Sequence, residues 1–169
     1  FDHPIAGPLM RGMKHIPVDR ENGSASFRLA LKALKDGELV GVFPGATISR
    51  SFELKEFKSG AVRMAQAARV PMIPIVLWGS QRVWTKGRPK RLGRTNTPIS
   101  LDVGTPIDVP RDADAEQVLA ELHDTMAAML RAAQEVYPTV PFEERERMPV
   151  RLGGTAPTLD EATALEREE

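Results

Sequence analysis

Arg50, Lys55 and Lys58 lie in the stretch GVFPGATISRSFELKEFKSG, residues 41–60, where small and hydroxyl residues follow an apolar run and lead into Ser59-Gly60. Cations beside the N-terminus of a helix, beyond the end of a strand, suit an anion such as phosphate. Gly45, Ala46, Thr47, Arg50 and Lys58 are therefore candidate ligands for a phosphorylated substrate, and a solvated surface loop is the competing reading. The stretch is not a P-loop, because the Gly-x-x-x-x-Gly-Lys-Ser/Thr spacing is absent. A second candidate is Arg20 in Pro17-Val18-Asp19-Arg20, whose guanidinium could grip phosphate through two parallel hydrogen bonds. A turn closed by an internal Asp19-Arg20 pair explains the same four residues.

A third constellation is the stretch 80–101, which contains no acid but holds Arg82, Lys86, Arg88, Lys90, Arg91 and Arg94, with Trp78 and Trp84 nearby. Cations with interfacial tryptophans suit an anionic membrane surface, at about 1 kcal/mol per cation close to it. A basic hairpin loop between strands is the plainer reading. Nucleic acid fits poorly, since no phenylalanine or tyrosine interleaves the cations as a stacking platform. No nucleophile elbow, zinc-helix or dinucleotide fingerprint occurs, and no metal site is expected.

These residues need elements to position them, and the pattern supplies an alternation of helices and strands. A helix is expected from Ser24, with Phe27, Ala30, Leu31 and Leu34 on one face and Gly37 as terminator. A buried strand follows over 38–43. Ser59 opens a second helix carrying Ala61, Met64, Ala65 and Ala68, and residues 72–78 read as a strand buried on both faces. Another strand is expected at 99–103, and the longest helix at 114–136, with Val118, Leu122, Met126 and Leu130 on one stripe. Pro17 permits at most an edge strand near residues 15–20. The fold class is α/β, a mixed sheet covered by helices. Residues 1–138 form the domain, and 139–169 read as a polar, disordered tail with a short frayed helix at 159–166.

At 169 residues and 41% hydrophobic content the chain can bury one core. Lys+Arg and Asp+Glu both number 23, so the total charge draws it to no partner, although the basic stretch and the acidic lean after Phe142 are unevenly placed. With no cysteine there is neither disulfide nor thiolate chemistry, which suits a reducing compartment.

Taken in order, the residues resemble the phospholipid/glycerol acyltransferase family of the 1-acylglycerol-3-phosphate type. Ile16-Pro17-Val18-Asp19-Arg20 resembles its second block, and 42–50 the third, usually Phe-Pro-Glu-Gly-Thr-Arg-Ser. Phe57-Lys58-Ser59-Gly60-Ala61 matches the following F-K-x-G-A, and 70–75 resembles the fourth block. The resemblance implies a glycerol-3-phosphate acyltransferase-like fold and transfer of a fatty acyl group to a lysophosphatidate-like acceptor. It implies an acyl-CoA or acyl carrier protein thioester as donor, no further cofactor, and a cytoplasmic protein peripheral on the inner face of the cell membrane. Arg20 would hold the acceptor phosphate, completed by the loop at 45–50 and Lys58.

Two departures stand out. The family's first block, His-x-x-x-x-Asp, supplies its general base, yet His3, His15 and His123 are followed five residues later by Pro8, Arg20 and Ala128. That block is expected upstream of Phe1, making this an N-terminally incomplete domain, inactive alone, with no catalytic residue of its own. Gly45 also stands where the family usually has glutamate. The alternative is a non-catalytic lipid- or phosphate-binding remnant of the fold.

Overall fold

The computed structural model describes residues 3–4, 6–18, 23–45 and 49–167. A short helix α1 (Ala6–Gly12) precedes α2 (Gly23–Lys35), α3 (Gly60–Ala68), strand β1 (Ile75–Trp78), strand β2 (Ser100–Val103), the long α4 (Ala115–Glu135) and α5 (Leu159–Arg167). Short 3-10 segments lie at Ser80–Arg82, Phe142–Arg147 and Val150–Leu152. The three central helices begin within about two residues of the caps and stops in the sequence. α4 shows why: the Asp114 side chain accepts from the Glu116 N–H at 2.9 Å, satisfying a donor the first turn leaves open.

β1 and β2 pair antiparallel, with Ile75 opposite Val103 and Leu77 opposite Leu101, and Met72 bridges Ile107 beyond the end of the ladder. Val76 and Trp78 point inward and pack with Leu130, Ala133 and Met148. The core continues through Phe57, Ile107 and Leu122 to Val62, Ala65, Val109 and Val118, so α4 is the spine on which the sheet and α3 both rest.

Three expectations are corrected. The segment 72–78 is buried on one face only: along β1 burial alternates, leaving Ile75 and Leu77 half-exposed beside Leu101 and Val103. The expected strand at 38–43 is irregular chain without a partner strand among the described residues, and Leu39 and Phe43 are 94% and 91% exposed. A strand is made by its neighbour's backbone, which an apolar run alone does not provide. Of the edge strand suggested near 15–20, residues 15–18 are irregular, and Asp19 and Arg20 lie outside the described residues.

The tail expected to be disordered also folds. It winds through the two 3-10 segments into α5 and buries Met148, Pro149, Ala156 and Ala162 together with Glu144 and Arg147. Its polar residues are charge partners for the rest of the chain, which a composition count cannot distinguish from solvated ones.

Candidate functional site

The loop after residue 43 closes on the start of α3 through one backbone bond: Lys58 N–H donates to Pro44 O at 2.9 Å. Phe57 explains the placement. It is buried against Ile107 and Leu122 and meets the His123 ring edge-on at 4.9 Å, so the chain is pinned there and Lys58 is left exposed next to it. On the far side of the loop Ser51 is buried, its hydroxyl sharing a hydrogen bond with Ser49 at 2.8 Å and accepting from Glu53 N–H at 3.3 Å. α3 then begins without a side-chain cap, since Ser59 places no oxygen on its first turn. Open N–H groups at that end, with Lys58 beside them, are chemically suited to an anion.

Of the residues singled out in the sequence, Gly45 and Lys58 are brought together by the Pro44–Lys58 bond. Arg50 is half-buried and leans toward the basic stretch: a Cβ built on Gly87 would lie 4.0 Å from its Nη1. Arg20, Ala46 and Thr47 lie outside the described residues. Lys55, also in the loop, is occupied by an ion pair with Glu166 of α5, and Glu53 by one with Arg151 at 2.7 Å. Neither clasp was visible in the sequence, because the partners are about a hundred residues apart. Among the described residues no group of three His, Asp or Glu side chains could hold a metal, and no helix is long and apolar enough to cross a membrane.

Residues 1–78 match the family model described as acyltransferase. Over that segment the chain is similar to the acyltransferase family. Relatives include the 1-acyl-sn-glycerol-3-phosphate acyltransferase of Bacillus subtilis, 36% identical over 94 residues that cover 53% of this chain and 46% of that protein. The enzyme of the same name from Limnanthes douglasii is 34% identical over 89 residues, covering 50% and 32%. Among solved structures, the 1-acyl-sn-glycerophosphate acyltransferase PlsC of Thermotoga maritima superposes with a TM-score of 0.67 over 82% of this chain and 55% of that one, at 20% identity, which establishes a shared mixed α/β fold. This chain thus spans less than half the length of either curated relative.

Within the segment similar to that family, the glycine at 45 is not imposed by space. A Cβ there would meet only Lys55 Cβ, at 3.9 Å, an ordinary contact, and Gly45 is not among the positive-φ glycines. The missing carboxylate is therefore a difference in chemistry and not in backbone shape.

The basic stretch links β1 to β2, as a hairpin loop should. Gly79 turns it out of β1 at φ 100°, where a Cβ would strike Pro98 O at 2.3 Å, so glycine is required. Arg82, expected on a membrane-facing surface, is 6% exposed. Its Nε donates to Glu144 at 2.7 Å and its Nη1 to the Tyr137 hydroxyl at 3.1 Å, which in turn donates to Pro98 O at 2.6 Å. Arg91 pairs with the other Glu144 oxygen at 2.5 Å, and Arg88 with Glu146 at 2.8 Å. The hydrogen bond from Arg82, aided by that from Arg91, outweighs burial and lowers the Glu144 carboxyl from 4.5 to about 2. Arg147, also buried, donates to Pro89 O at 2.8 Å and locks the loop from beneath. Trp84 stays exposed, at 58%, with Lys90 lying 4.0 Å over its ring, and Lys86, Arg88 and Arg94 are exposed as well. The sequence overstated the patch because it could not show Glu144 and Glu146 folding back onto it.

Proposed function

We propose that the protein is an O-acyltransferase of phospholipid biosynthesis. It would move a fatty acyl group from an acyl-CoA or acyl carrier protein thioester to the free hydroxyl of 1-acylglycerol-3-phosphate or a similar acceptor. The observation that carries this reading is the clasp of Lys58 N–H on Pro44 O, which joins two family blocks into one loop at the uncapped start of α3. The acceptor phosphate would sit there, with Lys58, Arg50 and the backbone at 45–47 around it and Arg20 as the bidentate clamp. The hydroxyl must lose its proton as it attacks the thioester carbonyl, and the thiol leaves with a proton; a histidine base within hydrogen-bond reach performs both transfers. None of the three histidines here has an aspartate five residues on, so the catalytic pair is assigned to sequence outside these 169 residues. No cofactor beyond the donor thioester is needed. Trp84 and Lys90, with Lys86, would meet anionic lipid on the cytoplasmic face of the membrane.

The same absence favours a second reading, a lipid-phosphate-binding remnant without turnover. One experiment separates them: titrate the full-length protein that carries these 169 residues with short-chain lysophosphatidate, then add acyl-CoA and follow thiol release. Binding that weakens about tenfold in Lys58→Ala and Arg20→Ala supports the loop as the phosphate site. Thiol release marks the enzyme, and binding without release marks the remnant. Unchanged affinity in both variants removes the assignment of the loop.

A further inference from the structure

Along the flank of α3 lies a second gathering of cations. Lys35 at the end of α2, Arg63 and Arg69 on and just after α3, and Arg111 ahead of α4 line an open groove of about 630 Å³ together with Leu31, Gln66, Ala67 and Ala68. Among the described residues none of the four side chains enters an ion pair or a hydrogen bond. Of the acids close to them in sequence, Asp36 is engaged with Lys32 and Asp114 caps α4, while Asp112 beside Arg111 is exposed and enters no ion pair among the described residues, leaving an excess of three positive charges at the groove.

The groove is built. Gln66 donates to Ala113 O at 2.9 Å, tying the segment that carries Arg111 to the flank of α3. Complementing helix dipoles accounts for Lys35 and Arg69, which sit at helix C-termini, but not for Arg63 within α3 or Arg111 on a separate segment. Four cations lining one groove beside Leu31, Ala67 and Ala68 suit an anion with several phosphates and a flat apolar portion, and the volume falls in the range of small-ligand sites. A single phosphate would use only part of the set.

We propose that this groove binds the phosphorylated end of a nucleotide, the four cations holding its phosphates and Leu31, Ala67 and Ala68 its base. Two sources share that chemistry, a free nucleoside diphosphate and the nucleotide end of a CoA thioester. The second source rests on the acyltransferase reading. Arg63 lies three residues into α3 and Arg69 just past its end, so the groove runs from about 5 to about 13 Å along the helix from its start, a span the extended pantetheine arm can cross along its surface.

The test is calorimetric titration of the full chain with CoA, with ADP and with short-chain lysophosphatidate, for the natural sequence and for Arg63→Glu/Arg111→Glu. The expected result is nucleotide binding that strengthens at low salt and falls at least about tenfold in the double variant, with lysophosphatidate affinity unchanged. Tighter binding of CoA than ADP identifies the thioester as the source, and equal binding a free nucleotide. The milder Lys35→Ala/Arg111→Ala pair, checked for folding by circular dichroism, should lose about threefold. The inference is overturned if folded protein binds neither nucleotide, if charge reversal leaves their affinity intact, or if Lys58→Ala abolishes it instead. Lysophosphatidate binding without nucleotide binding would remove this groove and leave the loop standing; the converse would do the opposite.

Discussion

Glu144 carries more of the structure than its position in an acidic tail suggests. It is buried between Arg82 and Arg91, and its carboxyl is held near 2 against an ordinary 4.5. A folded-state pKa below the unfolded one means the stabilisation is complete above about 4.5 and is lost as pH falls through 2. The shift corresponds to about 3 kcal/mol. Glu144→Gln should remove that share of the acid sensitivity and, by leaving Arg82 buried without a counter-charge, cost about 3–5 kcal/mol at neutral pH. Urea unfolding of both proteins between pH 7 and 2 would show it as two curves that converge in acid. Parallel curves, or equal stability at neutrality, would mean that the ion pair contributes nothing. The same residue marks a limit of sequence reading: a glutamate in Phe-Glu-Glu-Arg-Glu-Arg carries no local sign that it faces inward. Lys58 differs, since Phe57 and Gly60 beside it gave its block a pattern legible in sequence.

At the scale of elements, what was legible is what is decided locally. α2, α3 and α4 follow from apolar spacing and from residues such as Asp114 and Gly37 at their ends. What was missed depends on partners distant in sequence: residues 38–43 have the composition of a strand but no neighbouring strand among the described residues, and the folded tail is held by charges contributed from residues 53–91. The tail has a consequence for the candidate loop. Lys55 pairs with Glu166, each less than a fifth exposed, while Glu53 pairs with Arg151, so α5 and the turn before it clamp the loop from outside. Glu166→Ala should release Lys55 at a cost of about 1–2 kcal/mol, lowering Tm by about 2–8 °C. Trypsin should then cut after Lys55 and Lys58 several-fold faster, while cleavage within α4 stays unchanged. A uniform acceleration at all sites would indicate global destabilisation instead and remove the clamp.

On the scale of the whole molecule, surface area is the telling quantity. The chain exposes 11573 Å² at 18.6 kDa, whereas a compact monomer of that mass exposes roughly 8,200 Å². One apolar part of the exposed surface lies together on the open sheet face, where Ile75 and Leu77 on β1 meet Val103 and Leu101 on β2, each half to nearly two-thirds exposed. Soluble monomers seldom leave so continuous an apolar surface in water. A sheet with one face open also buries less area on folding, and the denaturant slope scales with that area. The 169-residue chain should therefore unfold with a shallow slope for its length, bind an apolar dye while native, and associate as concentration rises. Leu77→Lys/Leu101→Lys places two charges directly opposite each other on that face without touching Val76 or Trp78 beneath. Sedimentation should show weaker association and fluorescence less dye bound, with the far-UV circular dichroism unchanged. A natural chain that is monomeric and silent to the dye at high concentration would show that this face is not open in solution.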